Sequence, residues 1–295
     1  MNPSRRLGSH YSTNDFTFNY ETNIQVNKED VEKYFSIREI SGISKNWLCA
    51  VKRWIIKYLE FINYRIDENA TLEYLKNLKD THSICFYRKK TYQICSFLHY
   101  LKCDWVNNIK LPQEPATKPI RMGIDDIQKT LDFFKGNSYE KQFTAIIHLG
   151  KDSGMRAEEI YQLKPEDIDL DNRIIHINHN PSNGQTTKTK QSRISFFSKD
   201  TQKILKDYIE YFSKGSGLTK LFSQTHIERG FAKAPIRVKH LRKYFSQEWD
   251  RRGGQTSIKK LIMGHSIKKD VDLMHYNYQS EEDLKKIYDK VMGES

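Results

Sequence analysis

The sequence predicts a mainly α-helical protein with a small β-sheet, divided into two domains. Apolar side chains recur at three- and four-residue steps in several separate stretches of both halves of the chain, which is the period of a helix with one buried face. Two short runs in the second half instead have the composition of strands. A proline-rich stretch lies between the two patterned regions and indicates the domain boundary.

The first half predicts a helical bundle preceded by a polar arm. Residues 1–27 are rich in Asn, Ser and Thr and have no sustained period, so we expect an arm or a disordered lead-in. Residues 28–110 are expected to form an all-α domain, because amphipathic stripes cover 44–63 and 83–102. The aromatic side chains follow the buried period, so we assign them to the core rather than to base stacking.

The second domain is predicted at 123–295, after a linker at 111–122. The linker, LPQEPATKPIRM, holds three of the seven prolines and has no hydrophobic period. Two β-like runs, 173–178 and 193–197, flank a polar connection that contains lysines, and they predict a hairpin with a long basic tip. Helical patterns are expected at 124–134, 139–163, 199–212, 237–251, 256–263 and 280–292.

The charge balance indicates a polyanionic partner. The chain has 49 Lys and Arg against 37 Asp and Glu, a formal net charge of +12, and nucleic acid is the commonest partner of such a protein. A basic protein without a nucleic-acid role is the alternative that charge alone leaves open. The sequence has no run of 18 apolar residues and no signal-peptide core, so we expect a cytoplasmic protein without a membrane span.

Several kinds of cofactor chemistry lack their sequence signals. There is no GxxxxGK[ST] loop for a nucleotide, and the acidic stretch PEDIDLD (165–171) is interpreted as a solvated loop rather than a two-metal site. The cysteines form no CxxC pair and have no zinc-finger spacing, so we expect reduced, mostly buried thiols. We therefore expect neither a metal nor another cofactor. The cysteines are Cys49, Cys85, Cys95 and Cys103.

Four separated segments of the second half contain residues suited to phosphate chemistry. They are SGMRAEEIYQLKPEDID (153–169), TTKTKQSR (186–193), VKHLRKYF (238–245) and IMGHSIKKDVDLMHYNY (262–278). Each alone is a weak signal, because an Arg at a helix start or a Lys run at a loop tip is usually only solvated. In their order, spacing and neighbouring residues, the four together resemble the tyrosine recombinase family of phage, plasmid and Xer-type integrases. The resemblance extends from about Lys28 to the C-terminus.

The first segment resembles the family's box I, in which an Arg at a helix start follows a Gly and precedes a Glu and a Leu. Here these residues are Gly154, Arg156, Glu159 and Leu163. The resemblance implies that Arg156 donates charge-assisted hydrogen bonds to the non-bridging oxygens of the scissile phosphate.

In the predicted hairpin, the family has a Lys that protonates the leaving 5′ oxygen, a few residues before an Arg that begins the next strand. Counting back from Arg193 assigns this role to Lys188, with Lys190 as the alternative and as a DNA contact.

The third segment resembles box II, usually His-x-Leu-Arg. Alignment on Arg242 places Lys239 where the first His normally stands, a departure that the family pattern associates with integrases of archaeal viruses and plasmids. We assign Lys239 and Arg242 to the site. His240 lies about 100° away on the helix and is assigned a structural role.

The last segment carries a Met-Gly-His triplet similar to the family's Leu-Gly-His, which implies that His265 is a further donor to the phosphate. A nucleophilic Tyr usually follows about nine residues later, where this chain has Met274. The loop is therefore longer than usual by about two residues. We assign the nucleophile to Tyr276, with Tyr278 as the alternative.

The resemblance implies an N-terminal core-binding domain and a C-terminal catalytic domain of the DNA breaking-rejoining fold. The implied reaction cuts and rejoins DNA through a phosphotyrosine, without metal or ATP, in the integration or excision of a mobile element. The implied partners are double-stranded DNA attachment sites, further copies of the chain in a tetramer linked by the C-terminal helix, and an accessory DNA-bending protein where the reaction needs one. Basic residues interleaved in the stripe 83–102 are expected to contact DNA; they are Arg88, Lys89 and Lys90.

Two other interpretations stay open. A type IB-like topoisomerase uses the same phosphotyrosine chemistry and would relax supercoils without a required site. A DNA-binding regulator that has lost catalysis is favoured by Lys239 in box II and by the longer tyrosine loop. Cleavage of a cognate site would exclude the regulator.

Overall fold

The computed structural model describes most of the chain. The candidate nucleophiles Tyr276 and Tyr278 lie outside the described residues, as does most of the predicted arm. The described residues are 24–215, 220–266 and 279–293.

The chain divides into two compact units, with the division between Lys118 and Pro119. This position falls inside the stretch 111–122 that the prolines predict as a linker. The roles of the two units, core-binding for the first and catalytic for the second, stay predictions.

The first unit is a helical bundle with a small antiparallel ribbon. Its described elements are β1 (Ile24–Gln25), α1 (Lys28–Ile40), α2 (Lys45–Phe61), β2 (Arg65–Ile66), α3 (Glu68–Thr81) and α4 (Ile84–Tyr100). Ile24 pairs with Ile66 across the ribbon, so the last residues of the predicted arm belong to the folded unit. Asn27 caps α1, because its side chain accepts a hydrogen bond from the backbone N of Asp30 at 2.9 Å.

The aromatic stripes predicted for the first unit lie mostly in its core. Tyr58 on α2 and Phe97 on α4 are fully buried. Trp54 is half-buried. Trp47 at the start of α2 is 36% exposed, and Phe61 on α2 and Tyr92 on α4 are exposed as well. The apolar period therefore predicts both helices, while some aromatic side chains on them stay outside the core.

The second unit is mainly α-helical and contains a three-stranded antiparallel sheet. Its first described elements are α5 (Ile124–Phe134), α6 (Glu140–Ser153), α7 (Ala157–Tyr161), β3 (Ile168–Asp169), β4 (Ile174–Ile177) and β5 (Arg193–Phe196). They are followed by α8 (Lys199–Ser213), α9 (Gln224–Gly230), α10 (Val238–Arg251), α11 (Thr256–Met263) and α12 (Glu281–Met292). The strand order is β3–β4–β5, with Ile177 opposite Arg193. The helix α6 lies in the core, where Ala145, Ile146 and Leu149 have no exposed surface.

The single helix predicted at 139–163 is wrong, because the chain breaks it at Gly154. This glycine has φ +61°, a left-handed conformation that ends α6, and a Cβ there would lie 2.3 Å from the ring of Phe245. Two residues later, Arg156 has an extended backbone and is the N-cap residue of α7. The break therefore places Arg156 at a helix start.

Two short elements of the second unit escaped prediction. The strand β3 has two residues, and α9 has seven residues with one buried side chain, Ile227. Neither is long enough to show a period.

The last helix, α12, packs on its own unit. Tyr288 is fully buried and its hydroxyl donates to the backbone O of Asp152 at 3.0 Å. Arg173 pairs with Asp289 at 2.6 Å. The described residues therefore show this helix packed within its own unit.

None of the helices in the described ranges combines the length and the apolar character that crossing a bilayer requires. All four cysteines are free, but Cys49 and Cys85 are exposed. The expectation of mostly buried thiols is therefore wrong for these two, because both lie on the outward face of a helix.

Candidate active site

Three arginines from different elements converge on the C-terminal end of α11. Arg156 precedes α7, Arg193 begins β5 and Arg242 lies in the second turn of α10. The last carbonyls of a helix have no partner within it and carry the negative end of its dipole, so cations are favoured there. Three successive carbonyls each accept from a different arginine: Ile262 O from Arg193 Nε at 2.9 Å, Met263 O from Arg242 Nη1 at 2.7 Å and Gly264 O from Arg156 Nη2 at 2.8 Å.

A buried carboxylate, Glu159, joins two of these arginines. Its Oε1 accepts from Nη1 of Arg156 at 2.8 Å and from Nη1 of Arg193 at 3.0 Å. Its Oε2 accepts from Nη2 of Arg193 at 2.7 Å and from the backbone N of Arg156 at 2.9 Å. Burial raises the pKa of Glu159, but the hydrogen bonds and positive charge of Arg193, with those of Arg156, outweigh it and lower this pKa below its usual value. Glu159 is therefore ionised at neutral pH.

Arg242 has a shifted pKa and two backbone hydrogen bonds. Its Nη1 donates to the carbonyls of Gly154 and Met263, both at 2.7 Å. Burial, followed by the charges of Arg156 and Arg193, lowers the pKa of Arg242 to about 10. The guanidinium remains charged at neutral pH, in surroundings where a bound anion would relieve the crowding of cations.

His265 follows the left-handed Gly264 that ends α11. Its backbone N donates to the carbonyl of Lys260 at 2.9 Å, which closes the helix end and fixes the residue beside the arginines. Partial burial of the ring, followed by the charges of Arg242 and Arg156, lowers the pKa of His265. The imidazole is therefore mainly neutral at pH 7, with an N–H that can donate to an anion.

The hairpin lysines lie on an ordered turn. Lys188 and Lys190 are exposed at the tip between β4 and β5, and Lys190 has φ +56°. The buried Thr187 holds the turn: its hydroxyl donates to Gln191 O at 2.9 Å and accepts from Gln191 N at 3.1 Å. The backbone N of Thr187 donates to Nδ1 of His179 at 3.0 Å. The backbone of the turn is fixed, whereas the two ammonium groups extend into solvent.

A second buried carboxylate anchors the base of this tip. Asp167 accepts from Nε2 of Gln185 at 2.7 Å and from Nδ2 of Asn178 at 2.8 Å. The acidic stretch 165–171, predicted as a solvated loop, is therefore partly structural, since Asp167 is 4% exposed.

Lys239 lies in the first turn of α10 and is exposed. It lines a surface groove with Glu158 and Glu228. The neighbouring His240 accepts from the backbone N of Arg237 through Nδ1 at 3.2 Å, which caps α10 in the structural role predicted for it. The structure thus brings together Arg156, Arg242 and His265. Within the described part of the chain, Lys188 and Lys239 make no bond to this cluster.

The predicted DNA contacts of the first unit have three different environments. Lys89 is exposed. Arg88 bonds to the carbonyl of Pro112 and pairs with Glu114 at 3.4 Å. Lys90 is only 8% exposed, with its ammonium 4.7 Å above the ring of Phe86. This burial counts against Lys90 as a phosphate contact, because its charge is already placed over an aromatic ring.

Comparison with known proteins gives the chain a family. Residues 121–282, more than half of the chain, match the profile described as the phage integrase family. The chain belongs to that family. The resemblance inferred from the four sequence segments is confirmed, and this phage integrase family member is a DNA strand-transferring enzyme of the tyrosine recombinase type.

Two curated relatives illustrate the similarity. The tyrosine recombinase XerA of Saccharolobus solfataricus is 28% identical over 212 residues, which are 69% of this chain and 68% of that protein. A probable integrase/recombinase of Acholeplasma phage L2 is 30% identical over 167 residues, 52% of each chain.

Solved structures agree on the fold of this integrase family member. The Tn1549 transposon integrase in complex with a circular intermediate DNA matches with a TM-score of 0.63 at 16% identity, over 88% of this chain and 96% of that one. A lambda integrase dimer bound to a COC′ core site gives 0.59 at 11% identity, over 85% and 97%. The predicted fold class, mainly α with a small sheet, is confirmed.

Sequence reasoning missed the role of Arg193, which served only to count back to Lys188. Its two partners are distant in sequence: Glu159 lies 34 residues before it and Ile262 lies 69 residues after it. No local pattern marks such a contact. The available signal was that the family pattern contains both a strand-initial Arg and a box I Glu, which could form a pair in the folded chain.

Proposed function

We propose that this protein is a site-specific DNA recombinase that cleaves and rejoins double-stranded attachment sites through a covalent 3′-phosphotyrosine, leading to integration or excision of a mobile element. The observation that carries the proposal is the convergence of Arg156, Arg242 and His265 on one end of α11, in a member of the phage integrase family.

The arginines suit the first task of the reaction, which is to neutralise the phosphodiester. A phosphodiester anion resists attack by an oxyanion, so preorganised cations at its oxygens lower the barrier. Arg242 uses Nη1 for two carbonyls, which leaves Nε and Nη2 for phosphate oxygens. Arg156 keeps further N–H groups beyond its bonds to Glu159 and Gly264. The neutral His265 adds one uncharged donor.

The lysines suit the second task, which is to protonate the leaving oxygen. Lys188 is our candidate for the proton donor to the 5′ oxygen, with Lys190 as the alternative. Both extend from an ordered turn, which supports a group that reaches a bound substrate from the side. Lys239, in the box II position, is proposed as a further donor to a phosphate oxygen.

Tyr276 is the proposed nucleophile, with Tyr278 as the alternative. Its hydroxyl gives up its proton to solvent as the oxygen attacks the phosphorus, the bond to the 5′ oxygen breaks and the lysine proton passes to that oxygen. The products are a 3′-phosphotyrosine and a free 5′-hydroxyl. Attack by a 5′-hydroxyl on the phosphotyrosine reverses the step, and because the phosphoester bond is retained, rejoining requires no ATP.

The partners follow from this substrate. The net charge of +12 favours binding to DNA phosphates, with Arg88, Lys89 and Lys190 as proposed contacts. We further propose a tetramer on two attachment sites and action at the host nucleoid, with an accessory DNA-bending protein where direction must be set. Charge reversal at Glu282 and Lys286, which are exposed on α12 and leave the buried Tyr288 in place, tests whether this helix also links subunits, since synapsis would then fail while single-site binding persists.

Covalent trapping tests the proposal. Duplexes selected by binding from a randomised pool are nicked next to the candidate cleavage position, so that the freed strand diffuses away. With EDTA present and no nucleotide, we expect an SDS-resistant adduct whose modified peptide carries Tyr276. An adduct on Tyr278 would reassign the nucleophile to that residue and leave the proposed reaction unchanged. Tight specific binding without an adduct would favour the inactive regulator, and relaxation of supercoils without a required site would favour the topoisomerase.

A further inference from the structure

Arg193 directs all of its hydrogen bonds into the protein. Its side chain is 10% exposed, and both terminal nitrogens donate to the carboxylate of Glu159, at 3.0 and 2.7 Å. Its remaining nitrogen, Nε, donates to the carbonyl of Ile262 at 2.9 Å. The planar guanidinium therefore joins a carboxylate on one side to the end of α11 on the other.

The first connection leads to Arg156. The carboxylate that Arg193 holds is the one that accepts from Nη1 of Arg156 at 2.8 Å and from its backbone N at 2.9 Å. Because Glu159 accepts both parallel bonds from Arg193, the plane of its carboxylate is fixed. A fixed carboxylate in turn restricts the guanidinium of Arg156.

The second connection leads to His265. Arg193 lies directly against Gly264, where an added Cβ would be 2.7 Å from Nε and 2.8 Å from Cδ and Cζ of the arginine. Gly264 also has φ +64°, so the chain needs a glycine there for two independent reasons. The turn that carries His265 therefore rests on the side chain of Arg193.

We propose that Arg193 is a positioning residue that sets the orientation of Arg156 and the place of His265 before DNA binds. The inference rests on the proposed function, because it assigns those two residues to the phosphate. Arg193 itself stays on the protein side of the cluster and does not contact substrate. A lysine at this position would keep the charge but could not make the parallel bonds to Glu159 together with the bond to Ile262.

Arg173 provides a matched control within the same unit. It has a similar exposure of 12% and bonds to one carboxylate, Asp289, at 2.6 Å and to one carbonyl, Phe197 O, at 3.1 Å. These contacts hold α12 rather than the arginine cluster. Arg173→Lys therefore measures how adduct formation responds when a largely buried, hydrogen-bonded arginine away from the cluster is replaced.

The first experiment compares Arg193→Lys with Arg173→Lys on the selected suicide duplex. We expect Arg193→Lys to bind the duplex non-covalently with native affinity, while single-turnover adduct formation falls by about 100-fold, because small misplacements of catalytic groups are costly. Arg173→Lys should form the adduct at nearly the native rate. A native rate for Arg193→Lys overturns the inference, as does a loss of rate matched by an equal loss of affinity.

A second readout uses the free protein. Among the described residues, the charges that lower the pKa of His265 are those of Arg242 on α10, Arg156 at the N-cap of α7, Lys259 on α11 and Arg193 on β5. Arg193→Gln removes one cation and loosens the turn, so NMR titration of the His265 ring should give a raised pKa. An unchanged titration counts against the inference. A native protein that forms no adduct would overturn the proposed function, and the titration would still decide whether Arg193 acts on His265.

Discussion

The arginines and the lysines of the proposed active site are held in opposite ways. Three arginines bond to buried groups: Glu159 and the last carbonyls of α11. The ammonium groups of Lys188, Lys190 and Lys239 are exposed and have no hydrogen-bond or ion-pair partner within the described residues. One set of cations is fixed before substrate arrives, and the other is held only through its backbone.

The difference matches two separate chemical requirements. Charge that develops on phosphate oxygens is best stabilised by donors that do not reorganise during the reaction, which a bonded guanidinium satisfies. A proton must instead be carried to an oxygen whose position changes as the bond breaks, and a flexible ammonium can follow it. This division fits the proposed roles, in which the arginine cluster neutralises the phosphate and the lysine turn protonates the leaving group.

Loss of a fixed arginine should have the largest effect. Arg242→Lys removes the planar donor and is expected to slow adduct formation by about 100- to 1000-fold, as removal of one preorganised oxyanion donor does. Single-turnover trapping on the suicide duplex measures it. Arg251→Lys, on the same helix but half-exposed and paired with Glu248, is the control and should leave the rate unchanged. Equal effects of the two would erase the distinction between the fixed cluster and the surface.

Loss of the hairpin lysine should be slightly smaller and chemically repairable. Lys188→Ala is expected to slow cleavage by about 100-fold, the usual contribution of a general acid. A duplex with sulfur in place of the 5′ oxygen should restore the rate, because a thiolate of pKa near 8.5 leaves without a proton donor.

The same sulfur substrate distinguishes the two hairpin lysines. Lys190→Ala should be near native on both substrates if Lys188 is the acid. If the sulfur substrate rescues Lys190→Ala and not Lys188→Ala, the general acid is Lys190. If it rescues neither, the general acid does not lie in the hairpin.

Removal of the buried carboxylate should affect stability. Glu159→Gln leaves Arg156 and Arg193 without their shared anion, and breaking a buried pair in this way costs about 3 kcal/mol of unfolding free energy. Urea unfolding at pH 7 measures this loss. Lys141→Ala, which breaks an exposed pair with Asp207, should change stability by less than about 1 kcal/mol.

The pH dependence of that stability has a defined sign. The pKa of Glu159 is lowered in the folded protein, so its contribution is complete above the unfolded value of about 4.3 and is lost as the pH falls through the lower folded value. Native protein should lose this increment of stability on acidification below about pH 4.3, and Glu159→Gln should not. If the stabilities of native protein and Glu159→Gln fall in parallel with decreasing pH, Glu159 does not make this contribution.

A surface lysine of the first unit should have the smallest effect. Lys89→Ala removes one proposed phosphate contact, so the slope of log affinity against log salt should become shallower by about 0.9, with little change in cleavage of bound DNA. Lys90→Ala should leave the slope unchanged, since its ammonium already lies over Phe86. A shared change of slope would mean that Lys90 leaves its aromatic contact on DNA.

The sequence predicts the parts of this molecule that depend on short-range periodicity. The helix 124–134 matches α5 at both ends, and 256–263 matches α11, because each has an apolar face of several turns. The predicted helix 139–163 fails because an isolated glycine in a helical pattern does not reveal its left-handed conformation. Nor does it reveal the contact with Phe245, 91 residues farther along the chain, which leaves no room for a side chain at this position.

The candidate site follows the same rule. Arg156, Arg242 and His265 could be assigned from motif spacing, and the structure brings them to one helix end. The bonds that hold them could not be assigned, because Arg193 meets its partners only in the folded chain. The burial of Lys90 escaped prediction for a related reason, since a basic residue on an amphipathic stripe shows no sign of the ring beneath it.

The most direct test of the division between arginines and lysines changes the charge of the scissile phosphate itself. A methylphosphonate at that position lacks the negative charge that Arg242 and Arg156 are proposed to neutralise. On this substrate, the cleavage rates of Arg242→Ala and Arg156→Ala, each divided by the native rate, should be at least about tenfold higher than on the charged substrate. The same ratio for Lys188→Ala should not change. If both arginine variants stay as slow on the neutral substrate as on the charged one, the cluster does not act on the phosphate and the account is wrong.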